Sequence, residues 1–490
     1  MSGVETILSA GVFVVLVDLT IRLVALVIIP RNRLPTAAMA WLLAVFFIPV
    51  IGVVLFLLIG NPQLPEKRRR KQREMDAVIE RESRVLPEPT RREQWPVWLD
   101  PVEKLTESLT SMPMVGGNDA RLIADYSGSI AAMAEEVAAA SSYVHVEFYI
   151  FSLDETTAPF FDALEAAVRR GVTVRVLLDH WASSHCAGYK ETVRRLEEMG
   201  VAWQLMLPVQ PLKGRYQRLD LRNHRKLLVV DGKVAYVGSQ NLIDRSYNKK
   251  RNIKRGLKWQ ELVCRLHGPV VASVDLVFAT DWLLESGESF EEGPADLRVD
   301  PGSSPSGTYD CQVVPSGPGF PVENNLQLFL SLLYSARKQV ILTSPYFVPD
   351  DSMLRGLMAA TARDVHVELF VSAIGDQGLV FHAQRSYYEA LLRAGVHIYC
   401  YPPPYILHAK HFSVDDEVAL IGSSNMDMRS FGLNSEISLM VRSRSFVEEM
   451  RGVEQDYRSI SRELTLEEWL RQPLTATTLD GLARLTSALQ

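Results

Sequence analysis

The sequence predicts an α/β protein made of two similar halves, preceded by a hairpin of two transmembrane helices. Three observations lead to this prediction: an almost uncharged N-terminal stretch, an alternation of strand-like and helix-like segments, and a polar motif that occurs twice. The alternation favours a sheet that is covered by helices on both faces. A chain of 490 residues is ample for more than one domain.

The first sixty residues predict a membrane anchor. Residues 35–60 include no charged side chain, and a helix of that length crosses a hydrocarbon core of about 30 Å. Residues 7–30 are also apolar except for Asp18 and Arg22, which stand four positions apart with opposite charges and can pair on one helical face. The connection at 31–34 is short enough to require a tight hairpin. The start of the chain lacks the positive residues of a cleaved signal peptide.

A run of positive charge follows the second apolar stretch. It contains Lys67, Arg68, Arg69, Arg70, Lys71 and Arg73, whereas the loop at 31–34 has two positive residues. This asymmetry places the long C-terminal part of the chain in the cytoplasm. The same run can hold the protein against anionic lipid headgroups, or it can serve only as a stop-transfer flank.

Two linkers are expected in the remaining chain. Residues 61 to about 115 are polar and weakly periodic, and residues 287–308 are rich in Gly, Pro, Ser and acidic residues. The predicted segments are a transmembrane anchor at 1–60, a juxtamembrane linker at 61–115, a first domain at 116–286, a linker at 287–308, a second domain at 309–462 and a C-terminal tail at 463–490. In the tail, Leu464, Leu466, Trp469 and Leu470 have partly helical spacing, which favours packing over membrane insertion.

The two halves repeat one order of elements. In the first, the strand-like run 144–150 is followed by a helical stretch and the strand-like run 172–178. In the second, 340–342 is followed by a helical stretch and 365–371. Internal duplication of this kind governs the prediction of the fold.

Each half also contains the same polar motif. The first half has His224, Lys226, Asp231, Ser239 and Asn241, and the second has His408, Lys410, Asp415, Ser423 and Asn425. The interval from His to Asn is 17 residues in both halves. Two such matches with equal extensions exclude coincidence.

The spacing has a structural meaning. Side chains alternate along a strand, so a His and a Lys two positions apart point the same way. Asp231-Gly232 between two β-rich runs predicts a two-residue hairpin turn, which would bring Ser239 opposite His224. The second half is expected to turn at Asp415-Asp416, which would bring Ser423 opposite His408. The aspartates fall at the turns, so we expect them to orient the hairpins.

The residue types suit phosphate chemistry. Lysine and asparagine donate hydrogen bonds to phosphate oxygens, and histidine acts as a nucleophile or an acid–base group. The formal net charge of −6 gives no support for a nucleic-acid partner. The four cysteines are scattered without metal-ligand or disulfide spacing, which indicates reduced packing residues.

The duplicated motif resembles that of the phospholipase D superfamily, and the chain is most similar to the bacterial cardiolipin synthases within it. The similarity covers nearly the whole chain, including 222–226, 266–269, 346–349 and 425–436. It implies two α/β/α phospholipase D-like halves about a pseudo-twofold axis, with one shared active site and neither metal nor cofactor. It also implies a carboxylate that orients each histidine. Glu436 matches that position in the second half, and Glu261 stands in the first half where relatives often have Asp.

These inferences define the candidate site and its substrates. The candidate catalytic residues are His224, Lys226, Asp231, His408, Lys410 and Asp415, and the phosphate-binding or supporting residues are Ser239, Asn241, Glu261, Ser423, Asn425 and Glu436. The resemblance implies phosphatidyl transfer between two phosphatidylglycerol molecules, giving cardiolipin and glycerol. It also implies that His224 is the nucleophile and that the enzyme resides in the bacterial inner membrane, in contact with anionic lipids.

Other functions use the same residues. A phospholipase D, or a transphosphatidylase with another alcohol as acceptor, differs only in the shape of its pocket. A nuclease of the superfamily would hardly need two membrane spans, and a catalytically inactive scaffold is expected to have lost one motif. The basic stretch from Lys249 to Lys258 is either a solvated surface or a rim that collects lipid headgroups. The oligomeric state is left open by the sequence.

Overall fold

The computed structural model describes residues 2–31, 35–60, 64–84, 86–90, 92–210, 215–288 and 307–487. The chain forms two compact units, one of Met1–Gln63 with Arg218–Asp220 and one of Leu64–Gln217 with Leu221–Gln490. The second unit, called the catalytic unit below, contains both copies of the polar motif.

The N-terminal unit is built from three apolar helices, α1 (Ser2–Ile28), α2 (Pro35–Phe47) and α3 (Pro49–Ile59). The predicted ion pair is confirmed, since Arg22 Nε lies 2.8 Å from the carboxylate of Asp18. The second apolar stretch is two helices instead of one, because Pro49 lacks an amide hydrogen and starts a new helix. Most of the predicted connection, residues 32–34, lies outside the described residues. Among the helices that the structure describes, none combines the length and apolarity needed to span a bilayer.

The catalytic unit alternates strands and helices. Its strands are β1 (Val115–Ile123), β2 (Tyr143–Phe148), β3 (Thr173–Asp179), β4 (Ala202–Met206), β5 (Val209–Gln210), β6 (Arg215–Tyr216), β7 (Arg222–Asn223), β8 (Lys226–Val230), β9 (Val234–Gly238), β10 (Lys258–Gln260), β11 (Val263–His267), β12 (Tyr309–Ser316), β13 (Gln339–Thr343), β14 (Phe347–Val348), β15 (His366–Ser372), β16 (His397–Tyr401), β17 (Tyr405–Leu407), β18 (His411–Val414), β19 (Val418–Gly422), β20 (Met426–Asp427), β21 (Asn434–Arg442) and β22 (Arg462–Leu464). Its helices are α4 (Glu66–Ser83), α5 (Leu99–Thr110), α6 (Tyr126–Ala139), α7 (Ala158–Arg169), α8 (His180–Ser184), α9 (Tyr189–Met199), α10 (Lys250–Arg255), α11 (Val270–Ser286), α12 (Asn324–Ser335), α13 (Asp351–Thr361), α14 (Gly378–Arg385), α15 (Tyr388–Arg393), α16 (Met428–Gly432), α17 (Arg444–Ile460), α18 (Leu466–Leu470) and α19 (Leu474–Arg484), with a 3₁₀ turn at Arg92–Gln94.

The two halves have the same sheet topology, which confirms the predicted duplication. The strand order is β1-β11-β9-β8-β2-β3-β4 in the first half and β12-β21-β19-β18-β13-β15-β16 in the second. In each, the last three strands are parallel to one another and the others pair antiparallel. Strands β1 and β12 pair antiparallel, so the halves form one continuous sheet.

Helices cover the sheet and enclose three apolar clusters. One face of the first half packs on α6 and α7, and the corresponding face of the second half packs on α12 and α13. The other faces of both halves contribute to a common core with α11 and α17. Helix α11 is buried on almost all sides because it lies inside this core.

The segment between α3 and β1 belongs largely to the catalytic unit. Met75 and Ile79 of α4 lie in the common core, and Leu99 and Val102 of α5 pack into the second half. The basic run on α4 is largely paired with carboxylates, as when Arg68 bonds Glu285. Of the predicted linker 287–308, residues 289–306 lie outside the described residues. In the tail, Leu464 and Trp469 are buried as predicted, whereas Leu470 is exposed.

Candidate active site

Each motif lies on a β-hairpin whose turn has three residues. Val230 pairs with Val234 and Val414 pairs with Val418, so 231–233 and 415–417 form the turns. The predicted two-residue turns are therefore wrong by one residue. The added residue shifts the register, so that Leu227 pairs with Val237. Ser239 and Ser423 consequently do not come opposite the histidines of their own hairpins.

The motif aspartates bind backbone amides at the turns. The carboxylate of Asp231 accepts hydrogen bonds from the amides of 141–143 at 2.7–2.9 Å, and that of Asp415 accepts them from 337–339 at 2.8–3.3 Å. Asp231 and Asp415 have φ values of +53° and +51°, a left-handed conformation that aspartate tolerates better than most residues. These contacts tie each hairpin to the start of β2 or β13.

The chain before each histidine pairs with the opposite half. Strand β7 runs parallel to the start of β21, and the amide of His224 donates to the carbonyl of Ser435 at 2.8 Å. Strand β17 runs parallel to β10, and the amide of His408 donates to the carbonyl of Gln260 at 2.7 Å. The two motifs are thus joined by a reciprocal exchange of short strands.

Each histidine is also supported by a carboxylate from the opposite half. Nδ1 of His224 lies 2.9 Å from both carboxylate oxygens of Glu436, and Nδ1 of His408 lies 2.8 Å and 2.9 Å from those of Glu261. The sequence similarity implies one carboxylate for each histidine, but it gives no sign that the carboxylate comes from the other half. With Nδ1 facing a carboxylate, Nε2 of each imidazole is left for chemistry.

The motif serines hold these carboxylates. Ser239 Oγ donates to Glu261 at 2.6 Å, and Ser423 Oγ donates to Glu436. Each serine therefore acts on the histidine of the opposite half through a glutamate of its own half. The two serines therefore have a positioning role. The predicted two-residue turn would instead have placed each serine beside the histidine of its own hairpin.

The lysines and asparagines are buried beside the histidines. Lys226 and Lys410 are each 2% exposed, and each ammonium donates to the carbonyl of the histidine two residues earlier. Asn241 Nδ2 donates to the hydroxyl of Tyr247 at 2.9 Å. The side-chain oxygen of Asn425 is buried and has no hydrogen-bond partner among the described residues.

Three tyrosines complete the site, and the sequence reasoning missed them. The ring of Tyr149 lies 4.8 Å from that of His224, and the rings of Tyr247 and Tyr346 lie 6.4 Å and 6.2 Å from that of His408. Burial raises the pKa of Tyr149 to about 12, so its hydroxyl keeps its proton at neutral pH. Tyr149 and Tyr346 both follow the first parallel strand of their half, a duplicated position that could have been found by aligning the halves.

The two histidine–glutamate pairs differ electrostatically. Burial, together with Lys226 and Lys410, holds the pKa of His224 well below its usual value, and burial raises the pKa of Glu436 to about 7. Burial also lowers the pKa of His408, but Glu261 opposes that shift. The pKa of Glu261 is lowered because the charge and hydrogen bond of His408 outweigh the effect of burial. The lowered pKa therefore favours a neutral imidazole at His224, whereas at His408 the same tendency is opposed by the charge of Glu261.

The lysines also respond to burial. Burial lowers the pKa of Lys226 well below its usual value and that of Lys410 to about 8, although the glutamates oppose both shifts. Lys410 lowers the pKa of Lys226 and of His224, and Lys226 lowers the pKa of His408, as expected if both motifs line one site. An arriving phosphate would supply the negative charge that keeps both ammonium groups protonated.

An arginine makes the site asymmetric. Arg225 Nε donates to the carbonyl of Glu436 at 3.0 Å, and its guanidinium pairs with Asp281 on α11. Its counterpart in the second half is Ala409, which is fully buried. The backbone of Glu436 is thus held by a charged group from the first half, whereas Ala409 offers Glu261 no such bond.

The described residues contain no cluster of three or more His, Cys, Asp or Glu side chains that could hold a metal ion. A pocket of about 680 Å³ opens beside α10 and is lined in part by Asp154, Asp244 and Lys258. The residues that line this pocket include neither His224 nor His408.

Comparisons with known proteins identify the family of the chain and support its fold. The family model described as cardiolipin synthase, PLD-like domain, matches residues 133–268 and 329–456, and the phospholipase D-nuclease N-terminal model matches 19–61. Cardiolipin synthase A of Pectobacterium carotovorum subsp. carotovorum is 33% identical over 96% of this chain and 95% of its own. Cardiolipin synthase A of Escherichia coli O157:H7 is 31% identical over 97% of each chain.

A solved structure supports the fold alone. Phosphatidylserine synthase of Haemophilus influenzae Rd KW20 superposes with a TM-score of 0.60 and 13% identity, covering 80% of this chain and all of its own. The duplicated motif, the shared sheet and the near full-length relatives agree with one another. The chain therefore belongs to the cardiolipin synthase family of phospholipase D-like proteins.

Proposed function

We propose that this protein transfers a phosphatidyl group from one phosphatidylglycerol to another, releasing glycerol and forming cardiolipin. The observation that carries the proposal is the pair of imidazoles whose Nδ1 atoms are held by Glu436 and Glu261, with two buried lysines beside them. Such a site offers a nucleophile, an acid–base group and positive charge for one phosphodiester. The membership in the family and the names of the relatives support the choice of lipid substrate.

The first step forms a covalent intermediate. Nε2 of His224 attacks the phosphorus, and the bond from phosphorus to the headgroup glycerol oxygen breaks. Nε2 of His408 gives its proton to that oxygen, so glycerol leaves as a neutral alcohol. The result is a phosphatidyl group bonded to His224, while Lys226 and Lys410 face the phosphoryl oxygens.

The second step reverses the roles of the same groups. A headgroup hydroxyl of a second phosphatidylglycerol attacks the phosphorus as Nε2 of His408 takes its proton. The bond from phosphorus to His224 breaks, and cardiolipin is released. One phosphodiester replaces another, so the reaction has no need of a nucleotide.

The electrostatic difference between the histidines supports this division of roles. A nucleophile must present an unprotonated nitrogen, which suits His224 because its pKa is held well below the usual value. Burial lowers the pKa of His408 as well, but Glu261 opposes that shift and favours the charged form, so His408 is the better suited of the two imidazoles to act as the general acid. We also assign Asn241 and Asn425 to the phosphoryl oxygens, since both are buried amides of the duplicated motif and amide groups donate hydrogen bonds to phosphate.

The N-terminal unit is the proposed membrane anchor. Its side chains between residues 12 and 28 are largely apolar and exposed, including Phe13 at 67% and Leu23 at 56%. In this proposal α1 forms one arm of a hairpin and α2 with α3 forms the other. The excess of positive charge after α3 puts the catalytic unit on the cytoplasmic side of the bacterial inner membrane.

The test is product analysis from pure phosphatidylglycerol in vesicles. Mass spectrometry should find cardiolipin and glycerol in equal amounts. Phosphatidic acid as the main product would show that water is the acceptor and would make the protein a phospholipase D. An added alcohol that competes efficiently with phosphatidylglycerol would instead indicate a general transphosphatidylase.

A further inference from the structure

A cationic surface lies beside the active site on α10 and its flanks. It consists of Lys249, Lys250, Arg251, Lys254, Arg255 and Lys258, all of them exposed. No carboxylate of the described residues lies within 4 Å of these cations, in contrast to the paired run on α4. Ile253 stands among them and is 58% exposed. Exposed cations around an apolar side chain are typical of a surface that binds an anionic membrane interface.

An apolar surface lies on α19 of the second half. Leu474, Leu479, Leu482 and Leu485 are 84%, 54%, 58% and 81% exposed, and the residues that share their face are Thr475, Thr478 and Gly481. At 100° per residue these positions fall on one side of the helix. The leucine side of α19 and its C-cap thus combine four leucines with no charged residue, although Arg484 is exposed on the neighbouring flank. Such an apolar side is unusual for a surface that only meets water.

The opposite side of α19 fixes its orientation. Asp480 is 2% exposed and accepts hydrogen bonds from His382 Nδ1 at 2.7 Å and from Arg385 Nε at 3.2 Å. Both partners belong to α14. Because this polar contact anchors α19 to the catalytic unit, the leucines are held facing outward.

The cationic surface contacts the loop before α14, the helix on which α19 packs. The guanidinium of Arg255 lies 3.5 Å from the carbonyl of Gly375, and Leu379 of α14 is 54% exposed. The same loop carries Asp376, whose carboxylate accepts a hydrogen bond from Tyr346 at 3.0 Å. The ring of Tyr346 is next to His408, so this loop connects the cationic surface to the catalytic groups.

We infer that α10 and the leucine side of α19 form one contact surface for the anionic bilayer that contains the substrates. The leucines enter the boundary between headgroups and acyl chains, and the cations bind lipid phosphates. A second copy of the chain fits less well, because a symmetric pairing would bring two sets of unpaired cations together. This inference rests on the proposed function, since it holds the site against a membrane of phosphatidylglycerol.

Lipid-depth quenching on the full chain tests the contact directly. A fluorescent label is attached to Leu482→Cys or Lys254→Cys in a Cys186→Ala background, because the other three cysteines are buried. Ile460→Cys and Lys338→Cys are matched controls at exposed positions elsewhere. The vesicles contain neutral phosphatidylcholine and phosphatidylglycerol with nitroxides at known depths. Adding His224→Asn to every variant makes the result independent of turnover, so a failure of the proposed reaction cannot be mistaken for a failure of docking.

Three results are possible, and each decides the inference. Quenching of the label at 482 by acyl-chain nitroxides, with quenching at 254 by headgroup nitroxides that weakens in salt, supports it. Full access of both labels to aqueous iodide in vesicles overturns it. Protection of 482 in detergent without lipid, with cross-linking between two chains, also overturns it and indicates a dimer interface.

Kinetics provide a second test. Lys250→Glu with Arg251→Glu and Lys254→Glu should raise the apparent KM for phosphatidylglycerol in vesicles about tenfold or more, since each cation near a lipid surface contributes to binding. The activity on monomeric short-chain phosphatidylglycerol should stay unchanged. Lys190→Glu with Lys233→Glu and Lys338→Glu is the charge-matched control. An equal loss in both triple variants, or a loss on the monomeric substrate, would contradict the inference.

Discussion

Nδ1 of His224 lies 2.9 Å from the carboxylate of Glu436, a residue of the other half of the chain. Glu261 of the first half makes the same contact with His408. Each half therefore supplies a histidine and orients the histidine of its partner. The predictions that follow use this exchange to separate the roles of the two imidazoles.

Removing either carboxylate should slow the enzyme in a way that depends on the substrate. Glu436→Gln and Glu261→Gln are each expected to lower kcat about 100-fold or more, because the imidazole loses its orientation and charge support. A donor with a good leaving group needs no proton from His408. Its single-turnover reaction should thus be rescued in Glu261→Gln and not in Glu436→Gln. Rescue in the opposite variant would show that His408 is the nucleophile.

The histidines themselves should both be essential. His224→Ala and His408→Ala are each expected to lower cardiolipin formation about 1000-fold or more, since nucleophile and acid act in the same step. In His408→Asn, an activated donor should still modify the enzyme, and peptide mass spectrometry should find the phosphatidyl group on the peptide with His224. An adduct on His408 in the reciprocal His224→Asn, and none in His408→Asn, would reverse the assignment.

The pH dependence should be bell-shaped. The pKa of Glu436 is about 7, so below that pH the carboxylate gains a proton and its support of His224 is lost. The pKa of Lys410 is about 8, so above that pH the ammonium and its charge are lost. We expect kcat/KM to fall on both sides of this narrow range. Lys410→Arg should move the alkaline limb to higher pH, because arginine keeps its charge.

The motif aspartates should affect stability more than chemistry. Asp231→Asn is expected to lower the free energy of unfolding by about 1–2 kcal/mol, because charge-assisted bonds to the amides of 141–143 are weakened. Its backbone hydrogen bonds hold the pKa of Asp231 below the usual value. That stabilisation is present above the unfolded pKa of about 3.9 and disappears as the pH falls through the folded value.

Thermal unfolding of Asp231→Asn checks this, with Asp416→Asn as the control. Asp416 is exposed in the corresponding turn of the second half, and its carboxylate pairs with the exposed Lys338. A folded Asp231→Asn protein of wild-type stability and no activity would refute the structural role.

Chelation of divalent metal should leave the reaction running. The positive charge for the phosphoryl oxygens is expected to come from Lys226 and Lys410, which are both buried at the site. The rate in vesicles with saturating EDTA should equal that without it. A loss of activity that added Mg²⁺ or Ca²⁺ restores at the single-turnover level would show that the site needs an ion.

The duplicated features were the part of the fold that the sequence could predict. Repeated spacing between His224 and Asn241, and between His408 and Asn425, identified both hairpins and hence the two related halves. Local alternation also placed the histidine and lysine of each motif together. These features depend on short-range geometry that is the same in any strand.

What the sequence could not predict depends on contacts between distant segments. No local pattern indicates that Glu436 serves His224 instead of His408, because the pairing arises from the approach of β7 to β21. The three-residue turn at 231–233 begins with the same Asp-Gly pair as a two-residue turn. The packing of α4 into the core was also not predicted. Its basic run suggested a polar linker, although Met75 and Ile79 of the same helix are buried in the core.

The exchange of carboxylates constrains how a chain of this kind can arise by duplication. A half that stood alone would hold a histidine with no carboxylate beside it, and only a twofold pair of identical chains would supply both. Fusion of two such copies into one chain preserves the paired arrangement. It also allows the sequences of the two copies to diverge from each other. The first motif has Arg225 where the second has Ala409, and the pKa of Glu436 is raised whereas that of Glu261 is lowered. Two identical subunits could never have acquired these differences separately.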